Sequence, residues 1–441
     1  MSKRAILWIA FLVVHFVVAM LGWWWPNAPM GDVYLVYDPW SAAAVAGGIV
    51  DGHNVGIVGL TVPWVYPQLA LLPMVLAKAF AWINGYIVGW AILVAVVDAL
   101  AFAMLVGKGR SNGRNVAAAF WLAFILLLGP VHLYRLDGFT MPIVLAGCLW
   151  LVGRPWLGAS LLAIATWIKV WPAALIAAAF IAVRRRLAIL GGVVAVSAVT
   201  LGTVIIAGGG AYAFGFISDQ TGRGLQIEAP ISTFYMWRAA LMLPDSAINY
   251  DPDMLTFQVT GPGLNVVIAI MTPLLALAVL SVAALGAFKA WRRASFVSLF
   301  PALALGLVLA FIVFNKVGSP QYISWIAAPL AVGLVIDRKR WMKPAWLGLG
   351  IALMTQAIYP LAYGGLMLKW PEPFPVLLLT IRNGLLVVLF VWAVMRLVRV
   401  PTRVQAIAAA STASTAPAGM PVATTPAPAS ALASERAFVE S

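Results

Sequence analysis

Charge is scarce in this chain. Of 441 residues 10% are Asp, Glu, Lys or Arg, 63% are hydrophobic, and the mean hydropathy is +0.98. A soluble domain carries roughly 25% charged and 45–50% apolar residues, so a water-soluble globular protein is excluded and a polytopic membrane protein is expected. Carboxylates are scarcer still, with 14 Asp and Glu against 28 Lys and Arg. Each acid on a water-facing loop therefore stands out. The single cysteine, Cys148, lies in an apolar run, which rules out a disulfide framework and a thiolate metal site. The histidines, His15, His53 and His132, are far apart in the sequence and lack zinc-ligand spacing. No metal and no cofactor is expected. The net charge of +14 is dispersed in short basic clusters between apolar runs. That is the positive-inside pattern, which orients a membrane protein and does not call for a nucleic-acid partner.

The basic clusters fix a topology. A crossing helix needs about 20 apolar residues, fewer where it is bent or buried in a bundle. Residues 5–25 follow Lys3 and Arg4 and end in Trp23-Trp24-Trp25, an interfacial belt and not a cleavage site, so they read as a retained anchor. Residues 26–85 form a first external loop. Within it, residues 65–83 carry Lys78, Pro67 and Pro73, and read as interfacial helix with Lys78 snorkelling. Crossings are then expected at 86–106, 115–133, 139–152, the short pair 156–169 and 171–183, 187–207, 264–288, 296–314, 322–336, 345–363 and 375–395. This gives about 12 transmembrane helices in an all-α integral membrane protein, one domain over residues 1–400, with a second large external loop at 208–263. Every basic cluster and both termini are then cytoplasmic. Residues 401–441, rich in Ala, Ser, Thr and Pro, are expected to be a disordered cytoplasmic tail. No internal repeat of the transporter kind is visible.

This topology collects polar groups on the outer face: Asp32 and Asp38, Arg135 and Asp137, Lys169, the run Asp219-Gln220-Thr221-Gly222-Arg223 continuing to Glu228, and Lys316 with Gln321 and Tyr322. Ionisable groups at membrane depth are costly and usually mark a substrate path. Arg135, Lys169, Arg223 and Lys316 come from separate segments, and convergent cations suit a phosphate. Each also reads as an interfacial anchor beside an acid, as Arg135 does beside Asp137. Asp38 precedes Pro39 and reads as a helix cap. Asp32 has no capping partner in sequence and is the candidate general base. Asp98 is expected to pair within the bundle, with Arg382 as one partner. His15 and His132 read as satisfied bundle residues, His132 being also a pocket candidate one turn from Arg135.

The run Asp32-Val-Tyr-Leu-Val-Tyr37, then Trp64-Val-Tyr66-Pro67-Gln-Leu, resembles the D-x-x-x-Y…G…YPP-L opening of glycosyltransferase family 87 in the GT-C superfamily. Arg154-Pro-Trp-Leu-Gly…Ala165-Thr-Trp-Ile-Lys169-Val-Trp-Pro172 is similar to its R-x-x-x-G…A-x-x-x-K-x-x-P segment. Arg223-Gly-Leu-Gln-Ile-Glu228 and Lys316-Val-Gly-Ser-Pro-Gln-Tyr322 also look like family features. Three departures stand out: Tyr37 comes one residue late, Gln68 replaces the second Pro of YPP, and Leu136-Asp137-Gly138-Phe139 stands where the family often has Gly-Gln-x-Asn.

The resemblance implies a GT-C-type bundle with the catalytic Asp in the first external loop, a polyprenyl-phosphate sugar donor and inversion at the anomeric carbon. It resembles mycobacterial phosphatidylinositol mannoside alpha-1,2-mannosyltransferases. On this reading Asp32 is catalytic, and Lys169, Arg223, Lys316 and Arg135 bind the donor phosphate. Asp38, Tyr37, Tyr66, His132, Asp137, Glu228, Gln321 and Tyr322 line the substrate pocket. The expected partners are a polyprenyl-phosphate mannose donor, a mannoside glycolipid acceptor of the phosphatidylinositol mannoside or lipomannan type, and membrane lipids, with the site on the external face of the cell membrane. A lipid phosphate leaves without help from a general acid, whereas the acceptor hydroxyl needs one carboxylate to take its proton. Polyprenyl-phosphate arabinose is the alternative donor, and a lipid flippase or transporter the alternative class. The latter predicts charges through the whole membrane thickness, and here they gather on one face.

Overall fold

The computed structural model describes residues 2–218, 223–252 and 256–402. The polar run 219–222, Asp253 and the predicted tail from residue 403 lie outside the described residues. Helix α1 (Lys3–Trp24) is capped by Ser2, whose Oγ accepts from the Ala5 N–H at 3.2 Å. After α1 come a wide helical turn over Val33–Tyr37, α2 (Asp38–Val45), a small antiparallel hairpin of β1 (Ile49–Val50) and β2 (His53–Asn54), and the apolar helical run Gln68–Phe80 that contains α3 (Leu71–Ala77). Then follow α4 (Gly85–Val106), α5 (Asn112–Leu128), α6 (Pro130–Leu133), α7 (Leu136–Trp150), α8 (Pro155–Ile168), α9 (Ala173–Ala182) and α10 (Arg186–Ile206). A second long connection carries α11 (Gly215–Ser218), α12 (Thr233–Ala240) and an antiparallel hairpin of β3 (Ala247–Asp251) and β4 (Thr256–Thr260), in register from Ala247↔Thr260 to Asp251↔Thr256. The chain closes with α13 (Leu264–Trp291), α14 (Phe296–Val313), α15 (Ala327–Gln356), α16 (Tyr363–Leu366) and α17 (Pro373–Val398).

Among the described residues, seven helical stretches are long and apolar enough to cross a membrane. The chain is an all-α, multi-pass membrane protein. Its burial pattern makes sense only in lipid. The most apolar stretch of α14 is 83% buried, whereas that of α13 is 11% buried and those of α1 and α10 are 22% buried. Faces so apolar and so exposed would aggregate in water. Helix α14 is thus the centre of the bundle, while α1, α10 and α13 present their sides to acyl chains. The stretch Pro320–Leu366 is interrupted where the Arg338-Lys339-Arg340 cluster predicts a break between two crossings. Asp337 leaves helical geometry (φ −143, ψ 76), and its carboxylate accepts from the Arg340 N–H at 3.2 Å, capping the second half.

Two expectations are corrected. Arg382 does not meet Asp98; it donates to Glu228 Oε2 at 2.9 Å and to the Glu228 carbonyl at 2.7 Å, joining α17 to the second connection. Asp98 instead accepts from Trp121 Nε1 at 2.8 Å and faces His15. Lys78, which keeps part of its side chain exposed, pairs with Asp38 at 2.8 Å. That same contact changes the reading of Asp38. The helical turn before α2 already runs through Tyr37, so Asp38 sits inside the first turn and its carboxylate caps nothing.

The site depends on how closely α7 and α8 approach, because Asp137 and Lys169 sit at their ends. Small residues allow that approach, as in other membrane helix pairs. A Cβ on Gly158 would lie 2.7 Å from the Gly147 carbonyl oxygen and 2.9 Å from the Leu151 nitrogen. Gly158→Ala should therefore force the helices apart and cost about 1–3 kcal/mol. Gly153→Ala, in the turn between them, meets nothing within 4 Å and should be neutral or stabilising by at most about 1 kcal/mol. Thermal unfolding of the two variants in detergent checks this; equal midpoints would mean that the α7–α8 contact is not tight.

Candidate active site

Asp32 stands just before the wide turn that follows α1. It is ion-paired with Arg135, the residue that precedes α7, and its side chain keeps about one-third of its surface exposed. The Arg135 guanidinium also donates to Tyr359 Oη at 2.7 Å, so it joins the first connection to the segment after α15. Burial works against the Arg135 charge, but the Asp32 carboxylate and Tyr359 outweigh it and hold its pKa above the ordinary guanidinium value. The turn also buries Tyr37 completely, and its Oη accepts from the Leu136 N–H at 3.2 Å. Asp32, Tyr37 and Arg135 are thereby set in one frame at the N-terminus of α7.

Asp137, in the first turn of α7, has no exposed surface. The positive end of the helix favours a carboxylate there, and side chains from two other segments complete its shell. Lys169, at the C-terminal end of α8, donates to Asp137 Oδ2 at 2.5 Å, and Trp325 Nε1 donates to Oδ1 at 2.6 Å. The Gln321 amide, oriented with its nitrogen toward the carboxylate, donates to Oδ2 at 3.0 Å and accepts from Lys169 Nζ at 3.3 Å. Aromatic faces wall this node. Trp325 stacks between Trp171 and Tyr322 at 5.6 and 4.2 Å between ring centres, and Lys169 Nζ lies 5.6 Å from the centre of the Tyr66 ring. Burial, with Asp32 and Asp137 nearby, pushes the Tyr66 hydroxyl pKa up, so it stays protonated.

Arg223 enters from the second connection, within electrostatic reach of Tyr322. It makes no ion pair among the described residues, and its Nε is buried without a hydrogen-bond partner. The segment holding Lys316 lies against the same connection, the Gln226 N–H donating to the Lys316 carbonyl at 3.1 Å. Burial pulls the Lys316 pKa down. Glu228 turns inward to Arg382 and is 2% exposed. Burial pushes its pKa up, and Arg382 opposes that.

Of the residues selected from the sequence, Asp32, Tyr37, Tyr66, Arg135, Asp137, Lys169, Arg223, Gln321 and Tyr322 are thus brought together. Asp38 is held apart by Lys78, and His132 by a buried cluster with His15 and Asp98, whereas Glu228, paired with Arg382, stays within electrostatic reach of Arg135 and Tyr322. Sequence reading missed Trp325, Trp171 and Tyr359. The aromatic-proline step Tyr359-Pro360 inside an apolar run was the available signal for the last. An apolar groove of about 520 Å³ lies beside the cluster, between α8, α10 and residues 58–71. Its lining includes Ile164, about a turn and a half of helix before Lys169.

Residues 64–245 match the family model of glycosyltransferase family 87. Over that stretch, less than half of the 441 residues, the chain is similar to glycosyltransferase family 87. No curated protein matches it. The family 87-like stretch holds Tyr66, Arg135, Asp137, Lys169, Arg223 and Glu228, while Asp32, Gln321 and Tyr322 lie outside it and join it only through the fold.

The Asp137 node generates a stability prediction. Lys169→Met strands a fully buried carboxylate, and breaking such a pair costs about 3–5 kcal/mol. Adding Asp137→Leu removes the stranded charge and should recover part of the loss. Thermal unfolding of the single and double variants is the check. A double variant less stable than Lys169→Met by the full cost of a second lesion would show that the two residues are not coupled.

Proposed function

We propose that this family 87-like protein transfers a mannosyl residue, with inversion, from polyprenyl-phosphate mannose to a mannoside glycolipid of the phosphatidylinositol mannoside or lipomannan type, on the outer face of the membrane. The observation that carries this reading is the partly exposed Asp32 carboxylate, held by Arg135 beside a buried cationic and aromatic cluster. In the reaction the acceptor hydroxyl oxygen attacks the anomeric carbon. The bond from that carbon to the phosphate oxygen breaks, and the lipid phosphate leaves with the electron pair. The acceptor proton passes to Asp32, the general base. One carboxylate suffices, because the leaving phosphate needs no proton, unlike the sugar alcohols expelled in glycoside hydrolysis.

The charges support distinct roles. Lys169 is tied to Asp137, so it orients the pocket and is only partly available to a phosphate. Arg223, whose Nε is unsatisfied and which has no acid on it among the described residues, is the better receptor for the developing phosphate charge, with Lys316 on the adjoining segment. Arg135 joins the two halves of the chemistry. A phosphate arriving at the cluster competes with Asp32 for the guanidinium, and the carboxylate it releases is the one that must take the proton. The apolar groove along α8 and α10 suits the prenyl chain, and it runs toward Lys169. In this topology both termini are cytoplasmic, residues 26–85 and 208–263 are external, and Gln68–Phe80 lies at the outer interface.

The reading is tested with purified protein in lipid, an acceptor glycolipid and each radiolabelled donor. Incorporation is expected from polyprenyl-phosphate mannose. Incorporation from the arabinose donor alone would replace the sugar, and incorporation from neither would overturn the transferase reading. Arg223→Gln should lower kcat/KM for the donor about 10- to 100-fold, the worth of a charged hydrogen bond of roughly 1.5–3 kcal/mol. An unchanged value would remove Arg223 from the phosphate site.

A further inference from the structure

His15 on α1, Asp98 on α4 and His132 on α6 converge inside the bundle, away from the cluster around Asp32. They are 7%, 0% and 0% exposed, and one potential ligand atom of each lies within 4.8 Å of the others. His15 Nδ1 is 2.9 Å from the Phe11 carbonyl oxygen. A carbonyl only accepts, so the proton of a neutral His15 is on Nδ1. The bare Nε2 lone pair then faces Asp98 Oδ2 at 3.0 Å. A lone pair and a carboxylate oxygen in a low-dielectric interior repel unless a cation lies between them.

A proton on His15 would satisfy that pair but not the third member. Neither ring nitrogen of His132 has a hydrogen-bond partner among the described residues, although the residue has no exposed surface. Buried polar groups are nearly always satisfied, and one that is not calls for an explanation. We propose that His15 Nε2, Asp98 Oδ2 and a ring nitrogen of His132 bind one divalent transition-metal ion, zinc by preference. The ion accounts for all three groups at once. The outer contacts are those metal ligands commonly make: His15 directs its other nitrogen to a backbone carbonyl, and Asp98 Oδ1 accepts from Trp121 Nε1 at 2.8 Å. Two imidazoles and one carboxylate suit zinc or a similar ion, whereas calcium and magnesium prefer all-oxygen sites. Three protein ligands leave a fourth position for water. The ion would rivet α1, α4 and α6 together behind the site, because α6 leads directly into Arg135. The inference stands independently of the proposed transfer reaction and departs from the metal-free expectation of the sequence.

The test uses the full chain without a polyhistidine tag, purified in detergent, stripped with chelator and titrated with zinc or cobalt(II). The remaining histidine, His53, is exposed and isolated from the others, so adventitious binding is separable. Stoichiometric zinc uptake by elemental analysis is expected, together with a visible cobalt(II) absorption band. His132→Phe, which keeps ring volume, and Asp98→Asn should weaken binding more than about 100-fold, beyond the loss typical of an outer-shell change. A wild-type protein that takes up neither metal would overturn the proposal and leave a proton or a water in the cluster. So would folded variants that bind as tightly as wild type. If a variant fails to fold, the wild-type titration decides alone.

Discussion

A carboxylate with no exposed surface, Asp137, ties together the ends of three separate segments of the chain. It sits in the first turn of α7, takes the ammonium of Lys169 from the end of α8 and the indole N–H of Trp325 from the segment before α15, and accepts from Gln321 on the same segment. Leaving water is expensive for such a group, and only complete satisfaction offsets that cost. The node therefore holds a single arrangement of three helix ends. Arg135 precedes it by two residues, and its orientation toward Asp32 depends on that arrangement.

Two ion pairs with different exposure divide the labour. Asp137 with Lys169 is closed, and the pair is suited to positioning. Asp32 with Arg135 is open on the carboxylate side, since the Asp32 side chain keeps about a third of its surface while Arg135 keeps 12%. A base must be reached by its proton donor, and only the open pair allows this. In the proposed reaction the guanidinium beside it is shared with an arriving phosphate, which would couple donor binding to release of the base through one residue.

Much of this was legible in the sequence because charge is so rare. An acid such as Asp32 shortly after a tryptophan belt, a basic triplet after Asp337, and a lysine between two short apolar runs mark loops, breaks and candidate sites without any knowledge of packing. What failed were pairings. Asp98 looked for a cation and Arg382 for an anion, but their partners depend on how helices rotate and cross, which residue spacing does not encode. Asp38 looked like a cap because it precedes proline. A helical turn starting earlier in the chain moved it inside the helix and gave it Lys78. His15 and His132 are 117 positions apart in the numbering, and nothing in their local sequence signals that α1, α4 and α6 bring them to one point with Asp98.

The account stands or falls on the role of Asp32. Asp32→Asn keeps the size of the side chain and its ability to accept from Arg135 but cannot take a proton, so turnover should fall about 10²- to 10⁴-fold while donor binding persists. Asp38→Asn, the same change in a neighbouring residue that serves only Lys78, should leave turnover within a few-fold of wild type. Measuring turnover and donor binding for both variants at matched folding is the most direct test. An active Asp32→Asn would contradict the account, and an inactive, well-folded Asp38→Asn beside it would move the base to Asp38.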